Sequence, residues 1–227
     1  MTRPEFLLDW YRAFLQWLRQ PEHTTEIIEV LSDCSSELFL NALTARHIRL
    51  YGRERGIARL WARCEWAKTD ISFGVATQAF NEWEGAWTRK ETGDIGQIEA
   101  KLVYHGYQPG KRLAMARKLR DELRRRRKAD RDAGRQGQCY LGLVWFYRYT
   151  YHGEDWRSGI VEAGSARDWS EFFTEARLTA PVHPPGLEPE YGHFFAAGEQ
   201  DLTSAWPLVH QVHGALGVTL REFEPEQ

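Results

Sequence analysis

The run CYLGLVWFY, residues 139–147, constrains the fold most, because it is apolar throughout. A strand with one face in solvent alternates apolar and polar residues, so a continuous apolar run predicts a strand that is covered on both faces. A helical pattern at residues 111–133 precedes it, with Leu113, Leu119 and Leu123 on one face. Together they predict an α/β (α+β) domain in which helices flank a mixed central β-sheet.

The rest of the chain supplies further elements. Residues 4–19 have the spacing of an amphipathic helix, and a second helical pattern over 25–51 is broken near 33–36. Residues 66–75 alternate and predict a strand. Towards the C-terminus, we expect a helix within TSAWPLVHQVHGAL, residues 203–216. From residue 37 onward, the expected order is helix, strand, a partial strand, strand, helix and strand.

Length and composition favour a folded protein of the reducing cytoplasm. The 227 residues are 42% hydrophobic and include ten Trp. We expect N-terminal helices and an α/β core in residues 1–149, with a C-terminal extension packing on that core in 150–227. The three Cys are odd in number and form no CxxC pair, which argues against a disulfide framework and a structural zinc site. Charges in the first twenty residues argue against a signal peptide or a membrane span.

Charge is distributed unevenly along the chain. The net charge is −2, but residues 111–135 hold twelve Lys and Arg against four Asp and Glu, a local balance of +8. The second half of this helix has nothing larger than alanine to bury, so we expect it to project past the core or to lie on its rim. Its basic residues are candidates for binding nucleic-acid phosphates: Arg124, Arg125, Arg126, Arg127 and Lys128. The alternative is a solvated helix end that Asp130 and Asp132 partly neutralise.

Residues 97–105 form an alternating strand with an acid and a lysine on one face. Ile98, Ala100 and Leu102 fall on the opposite face from Glu99 and Lys101. A carboxylate beside a second acid from a neighbouring strand can hold a hard divalent cation through oxygen. A lysine at that position can stabilise a hydroxide or the charge developing on a phosphate. The alternative is an exposed ion pair of little energetic value.

An acid, the Glu99-Ala100-Lys101 motif on a strand, and a following helix and strand resemble the PD-(D/E)xK nuclease superfamily. The resemblance covers roughly residues 37–149. It implies a restriction-endonuclease-like core and cleavage of DNA phosphodiester bonds that depends on Mg²⁺ or Mn²⁺. It also implies that Glu99 binds the metal and that Lys101 assists the attacking water.

Two aspartates are candidates for the second acid of the site. Asp94 fits a short-gap variant of the motif, similar to strand-nicking mismatch-repair endonucleases, and is slightly preferred. Straight strand would place it roughly 16 Å from Glu99, so it requires Gly93 and Gly96 to bend the chain. Asp70 lies on the polar face of its own strand and needs no bend.

The sequence therefore predicts a metal-dependent DNA endonuclease, in genome defence or repair. The expected partners are DNA and a second copy of the chain, with no membrane. Two alternatives remain: a non-catalytic nucleic-acid-binding module on the same fold, and a protein-interaction module. Trp83 and Trp87 could stack on bases, although a place in the core is the more common role of such residues.

Overall fold

A computed structural model describes residues 3–33, 37–57, 59–66, 69–76, 92–104, 107–134, 139–151, 166–181, 193–200 and 212–224. These residues contain five helices: α1 (Arg3–Leu18), α2 (Pro21–Asp33), α3 (Glu37–Glu54), α4 (Pro109–Asp132) and α5 (Ala166–Ala176). They also contain seven strands: β1 (Leu60–Trp66), β2 (Thr69–Ala76), β3 (Thr92–Tyr104), β4 (Cys139–Tyr151), β5 (Leu178–Pro181), β6 (His193–Gln200) and β7 (Val212–Phe223). None of the described helices is long and apolar enough to cross a membrane. Trp83 and Trp87 lie outside the described residues.

The seven strands form one mixed sheet in the order β1-β2-β3-β4-β7-β5, and β6 also pairs with β7. Neighbouring strands are antiparallel except β3 and β4, which are parallel. Parallel strands need a crossover connection, and α4 lies between β3 and β4 in the chain. From α3 to β4, the described order is a helix, three antiparallel strands, a helix, and a strand parallel to the third. The predicted mixed sheet with flanking helices is confirmed.

Each face of the sheet carries its own hydrophobic core. On one face, α1, α2 and α3 pack through residues such as Trp10 and Ile48. On the other, α4 and α5 pack through Leu119, Leu123 and Phe172. Strand β4 contributes alternate residues to the two cores, which are Leu141, Leu143, Trp145 and Tyr147 to the first and Val144 and Phe146 to the second. The prediction that this strand is covered on both faces is confirmed.

The C-terminal half of α4 differs from the expectation that it projects past the core or lies on its rim, because part of it is buried. Arg126 and Asp130 are buried, with 8% and 0% of their surface exposed. They pack because Gln97 of β3 and Tyr140 of β4 offer polar partners beneath them. Polar residues can face a sheet wherever the strands carry matching donors and acceptors.

Four strands were missed or misassigned in the sequence: β1, β5 and β6 were not predicted, and the start of β7 was assigned to a helix. Strand β1, Leu60–Trp66, precedes the predicted strand and pairs antiparallel with β2. Residues 212–216 belong to β7 and not to a helix. Their helical spacing was overridden because β7 pairs with β4 from Tyr151 back to Leu141. The segment after residue 150 thus adds strands to the same sheet.

Candidate active site

Strand register brings the acid of β2 to the acid of β3. Ile71 pairs with Ile98 in the antiparallel β2–β3 ladder, so Asp70 comes opposite Glu99. The apolar neighbours Ile71 and Ile98 point into the core beneath α1–α3. Because side chains alternate along a strand, Asp70 and Glu99 share the opposite face, towards α4.

At Ala100 and Leu102 of β3, the backbone amides donate to side-chain carboxylates and not to carbonyl groups of a neighbouring strand. The amide of Ala100 donates to Asp70 Oδ2 at 2.7 Å, and the amide of Leu102 donates to Glu37 Oε2 at 3.0 Å. Glu37 is the first residue of α3. Buried amides without a strand partner need another acceptor. The backbone of β3 thereby positions Asp70 and Glu37 beside the ExK motif.

The ammonium group of Lys101 lies inside a ring of carboxylates. Its Nζ atom is 3.1 Å from Glu122 Oε2, 3.3 Å from Glu37 Oε1 and 3.7 Å from Asp70 Oδ2. It also donates to the Ala100 carbonyl at 2.6 Å. Burial alone would lower the pKa of Lys101, but these carboxylates raise it above its ordinary value. Lys101 is therefore charged and stays so across the physiological range.

Glu99 is the most strongly perturbed carboxyl group of the site. It is 3% exposed. Its pKa is raised to about 9, first by burial and then by the neighbouring carboxylates of Asp70 and Glu122, although Lys101 acts in the opposite direction. The Asp70 carboxylate disfavours a second negative charge at Glu99, and a cation between the two groups would remove that repulsion.

The donor set suits a hard cation. Asp70 and Glu99 present only carboxylate oxygens, and Mg²⁺ is commonly held by one or two protein carboxylates with water completing its shell. Among the described residues, no group of three His, Cys, Asp or Glu side chains is arranged to hold a metal. A divalent cation at this position would have to be held by the carboxylates of Asp70 and Glu99, with water completing its shell.

Asp94 lies elsewhere on β3. Its backbone pairs with Gly74, while Gly96 pairs with Phe73, so the register shifts by one residue between them. The ladder continues beyond this irregularity and does not turn back towards Glu99, since Gly93 pairs with Val75. The side chain of Asp94 lies outside the described part of the structure. Asp70 is the acid that the structure brings to Glu99.

The five basic residues proposed for nucleic-acid binding occupy two different environments. Arg124, Arg125, Arg127 and Lys128 are exposed on α4, and Lys128 pairs with Asp132 at 2.7 Å. Arg126 is buried instead, and its Nε atom donates to Gln97 Oε1. Only four of the five residues therefore face solvent.

Two residues of the site were not anticipated from the sequence. Glu37 and Glu122 lie 64 and 21 positions from Lys101, on separate helices. Glu122 could have been noticed, because it falls on the same helix stripe as Leu119 and Leu123 and so faces the sheet. Glu37 carried no such signal, since an acid in the first turn of a helix is common for the helix dipole alone.

A buried polar network adjoins the site on the same face of β3. Gln97 Nε2 donates to Asp130 Oδ2 at 2.7 Å, and Tyr140 Oη donates to the same oxygen at 2.9 Å. Thr69 Oγ1 donates to Gln97 Oε1 at 3.3 Å. Glu122 and Lys101 are thus the first of several polar contacts between α4 and β3, and this network supplies those nearer the C-terminal end of α4.

Comparison with known proteins adds no relative. No protein-family model, no curated protein and no solved structure matches the chain.

Proposed function

We propose that this protein is a metal-dependent DNA endonuclease with a PD-(D/E)xK-type site, acting in genome defence or repair. The observation that supports this best is the convergence of Asp70, Glu99 and Lys101. Asp70 comes from a different strand, where the β2–β3 register puts it opposite Glu99, and its carboxylate lies 3.7 Å from Lys101 Nζ. Glu99 and Lys101 are only 3% and 4% exposed, which argues against an ion pair on the protein surface.

The order of elements around the site supports the same proposal. The restriction-endonuclease-like core implied by the ExK motif consists of a helix, strands, a helix and a strand. The chain has α3, β1, β2, β3, α4 and β4 in that sequence, and the motif lies on the third strand. A shared fold does not by itself give an activity, so the proposal rests on the site and not on this order.

In the proposed reaction, each side chain has a separate task. Asp70 and Glu99 would hold Mg²⁺ or Mn²⁺. A bound divalent cation lowers the pKa of a water molecule and neutralises charge on the phosphate. Lys101 donates a hydrogen bond to the attacking water or to a phosphate oxygen, where its fixed positive charge stabilises the transition state. Glu37 orients Lys101 through the contact between Oε1 and Nζ.

The exposed basic residues of α4 are proposed to bind the DNA substrate. Arg124, Arg125 and Arg127 present positive charge beside a site that acts on a polyanion. Contacts of this kind bind the phosphate backbone without reading sequence, and they weaken as salt concentration rises.

One observation favours a second candidate, a nucleic-acid-binding module without activity. The ammonium group of Lys101 has three hydrogens, and four oxygen acceptors from Glu37, Asp70, Glu122 and Ala100 surround it. Catalysis requires one of these contacts to be exchanged for water or phosphate. A chain that never makes that exchange would bind DNA and leave it intact.

The two candidates are separated by a nicking assay. Supercoiled plasmid and labelled single strands are incubated with purified protein and Mg²⁺ or Mn²⁺, and binding is measured in parallel with Ca²⁺. The nuclease predicts metal-dependent cleavage that Asp70→Asn and Glu99→Gln abolish. Binding without cleavage under either metal supports the non-catalytic module.

A further inference from the structure

We propose that Gln97, Arg126 and Asp130 form a positioning network that sets the register of α4 against β3 and thereby holds Glu122 beside Lys101. The proposal rests on the function proposed for that site. These three residues are not assigned a contact with substrate. They act through Glu122, which reaches the reacting lysine from the next helix.

The contacts run in line along one helix stripe. Glu122, Arg126 and Asp130 are spaced by four residues, so they lie one above another on the face of α4 that meets the sheet. Glu122 contacts Lys101, and Arg126 and Asp130 both contact Gln97. Lys101, Glu99 and Gln97 are spaced by two residues on one face of β3.

The two spans match in length. The eight residues of helix from Glu122 to Asp130 rise about 12 Å, and the four residues of strand from Gln97 to Lys101 rise about 13 Å. A helix that runs back along the strand can therefore make contacts at both ends of this span. A slip of α4 by one residue would move the carboxylate of Glu122 by about 1.5 Å along the axis and turn it by roughly 100°. Such a slip breaks the contact with Lys101.

Stability alone does not explain this network. The first half of α4 docks through Ala116, Leu119 and Leu123, which need no partner of fixed geometry. A buried polar or charged cluster is often no more stabilising than apolar residues of the same volume, and its best attested use is to specify register. The polar half of α4 begins where β3 carries the candidate site.

The test compares the wild type with an apolar variant of the whole network. This variant carries five changes, which are Thr69→Val, Gln97→Leu, Arg126→Met, Asp130→Leu and Tyr140→Phe. It keeps the interface close to its original volume and removes both members of each hydrogen bond named for the network, so we expect it to fold with an unchanged or higher Tm. The first readout is the ¹H–¹⁵N signal of the Lys101 ammonium group, assigned by its loss in Lys101→Met.

The wild type is expected to show a Lys101 ammonium signal that exchanges slowly with water, because Glu37 and Glu122 hold it in a buried site. The apolar variant should lose this protection. In the cleavage assay, its kcat should fall by about tenfold or more with KM changed less than twofold, since positioning acts on the transition state. A folded apolar variant that keeps the protected signal overturns the proposal, whether or not the wild type cuts DNA. If the wild type does not cut DNA, the nuclease hypothesis fails, and the Lys101 ammonium signal alone tests the positioning network.

A second pair of variants covers the case in which the apolar variant does not fold. Gln97→Glu alone places two carboxylates in contact at Asp130 and should lose the protected signal. Adding Asp130→Asn restores a donor at that position, keeps the net charge of the wild type, and should bring the signal back. Equal signals in the single and double variants overturn the proposal.

Discussion

The carboxylate of Asp70 lies 3.7 Å from the ammonium group of Lys101, although they are far apart in the chain. The same oxygen of Asp70 accepts the amide of Ala100, the residue between Glu99 and Lys101. Because of the β2–β3 register, Asp70 contacts both the backbone of the motif, at the Ala100 amide, and its charged group, the ammonium of Lys101. An acid held by main chain keeps its position when the side chains around it exchange partners.

Replacement of Lys101 is expected to separate cleavage from binding. Lys101→Met should lower kcat by about 10² to 10³ and leave DNA affinity in Ca²⁺ within about twofold, because the lysine acts on the transition state. Its loss also leaves Glu37 and Glu122 without their cation, so Tm must be measured and the assay run well below it. The control is Lys118→Met, which removes an exposed lysine that contacts the other oxygen of Glu122 at 3.8 Å. Equal loss of activity in both variants would contradict a role specific to Lys101.

Replacement of Glu99 should stabilise the protein without metal and remove its response to metal. The raised pKa of Glu99 shows that its charged form is disfavoured in the fold. Glu99→Gln should raise the free energy of unfolding at neutral pH by about 1 kcal/mol, a Tm increase of about 2 to 4 °C. Mn²⁺ at a hundredfold excess over Kd should raise the free energy of unfolding of the wild type by about 2.7 kcal/mol, and its Tm accordingly. Thermal scans with and without Mn²⁺ measure both effects, and a Mn²⁺ response that survives Glu99→Gln would place the metal elsewhere.

Local patterns predicted the layers of this fold better than they predicted the partners within the site. The continuous apolar run of β4 and the alternation of β3 each depend on neighbouring residues only, and both elements are found. The sequence slightly favours Asp94 over Asp70, because Asp94 fits a short-gap variant of the motif. Which acid reaches Glu99 is decided by the pairing of Ile71 with Ile98, a contact between strands that no local pattern contains. Glu122 depends similarly on how α4 is docked.

The burial of Arg126 shows the same limit for charge patterns. Four consecutive arginines, 124–127, look equivalent in sequence, but a helix turns about 100° per residue and carries one of them to the sheet. The presence of Gln97 beneath that position makes burial tolerable. The difference among the four arginines is therefore set by β3 and not by the helix itself.

The exposed arginines of α4 should contribute to DNA affinity by neutralising phosphates. The variant Arg124→Gln/Arg125→Gln/Arg127→Gln should weaken binding and lower the slope of log K against log salt by roughly one unit for each phosphate that is no longer neutralised. The matched control removes three exposed arginines, two in α3 and one directly after it, by Arg46→Gln/Arg53→Gln/Arg55→Gln, on the opposite side of the sheet. Binding is followed by fluorescence anisotropy over a range of NaCl concentrations. If both variants shift affinity and slope equally, the effect is one of net charge and not of α4.

Protonation of His47 should destabilise the fold at mildly acidic pH. His47 is 8% exposed, its ring centroid lies 5.0 Å from that of Phe14, and its Nδ1 atom has no hydrogen-bond partner among the described residues. Burial, with a smaller contribution from His23, lowers its pKa to about 4 from the ordinary 6.5. Because the folded-state pKa is the lower one, the unfolded chain takes up the proton first. The contribution of His47 to stability is thus complete above pH 6.5 and is lost as the pH falls towards 4.

The loss amounts to roughly 2 to 3 kcal/mol over that interval, at about 1.36 kcal/mol per unit of pKa difference. Urea denaturation at a series of pH values from about 7.5 to 4 measures it. The variant His47→Leu keeps an apolar side chain against Phe14 and has no group to titrate there, so its stability should fall less over the same range. Subtracting the two curves removes the contribution of carboxyl groups common to both proteins. A difference that stays constant between pH 6.5 and 4 would mean that His47 is protonated in the fold at its ordinary pKa.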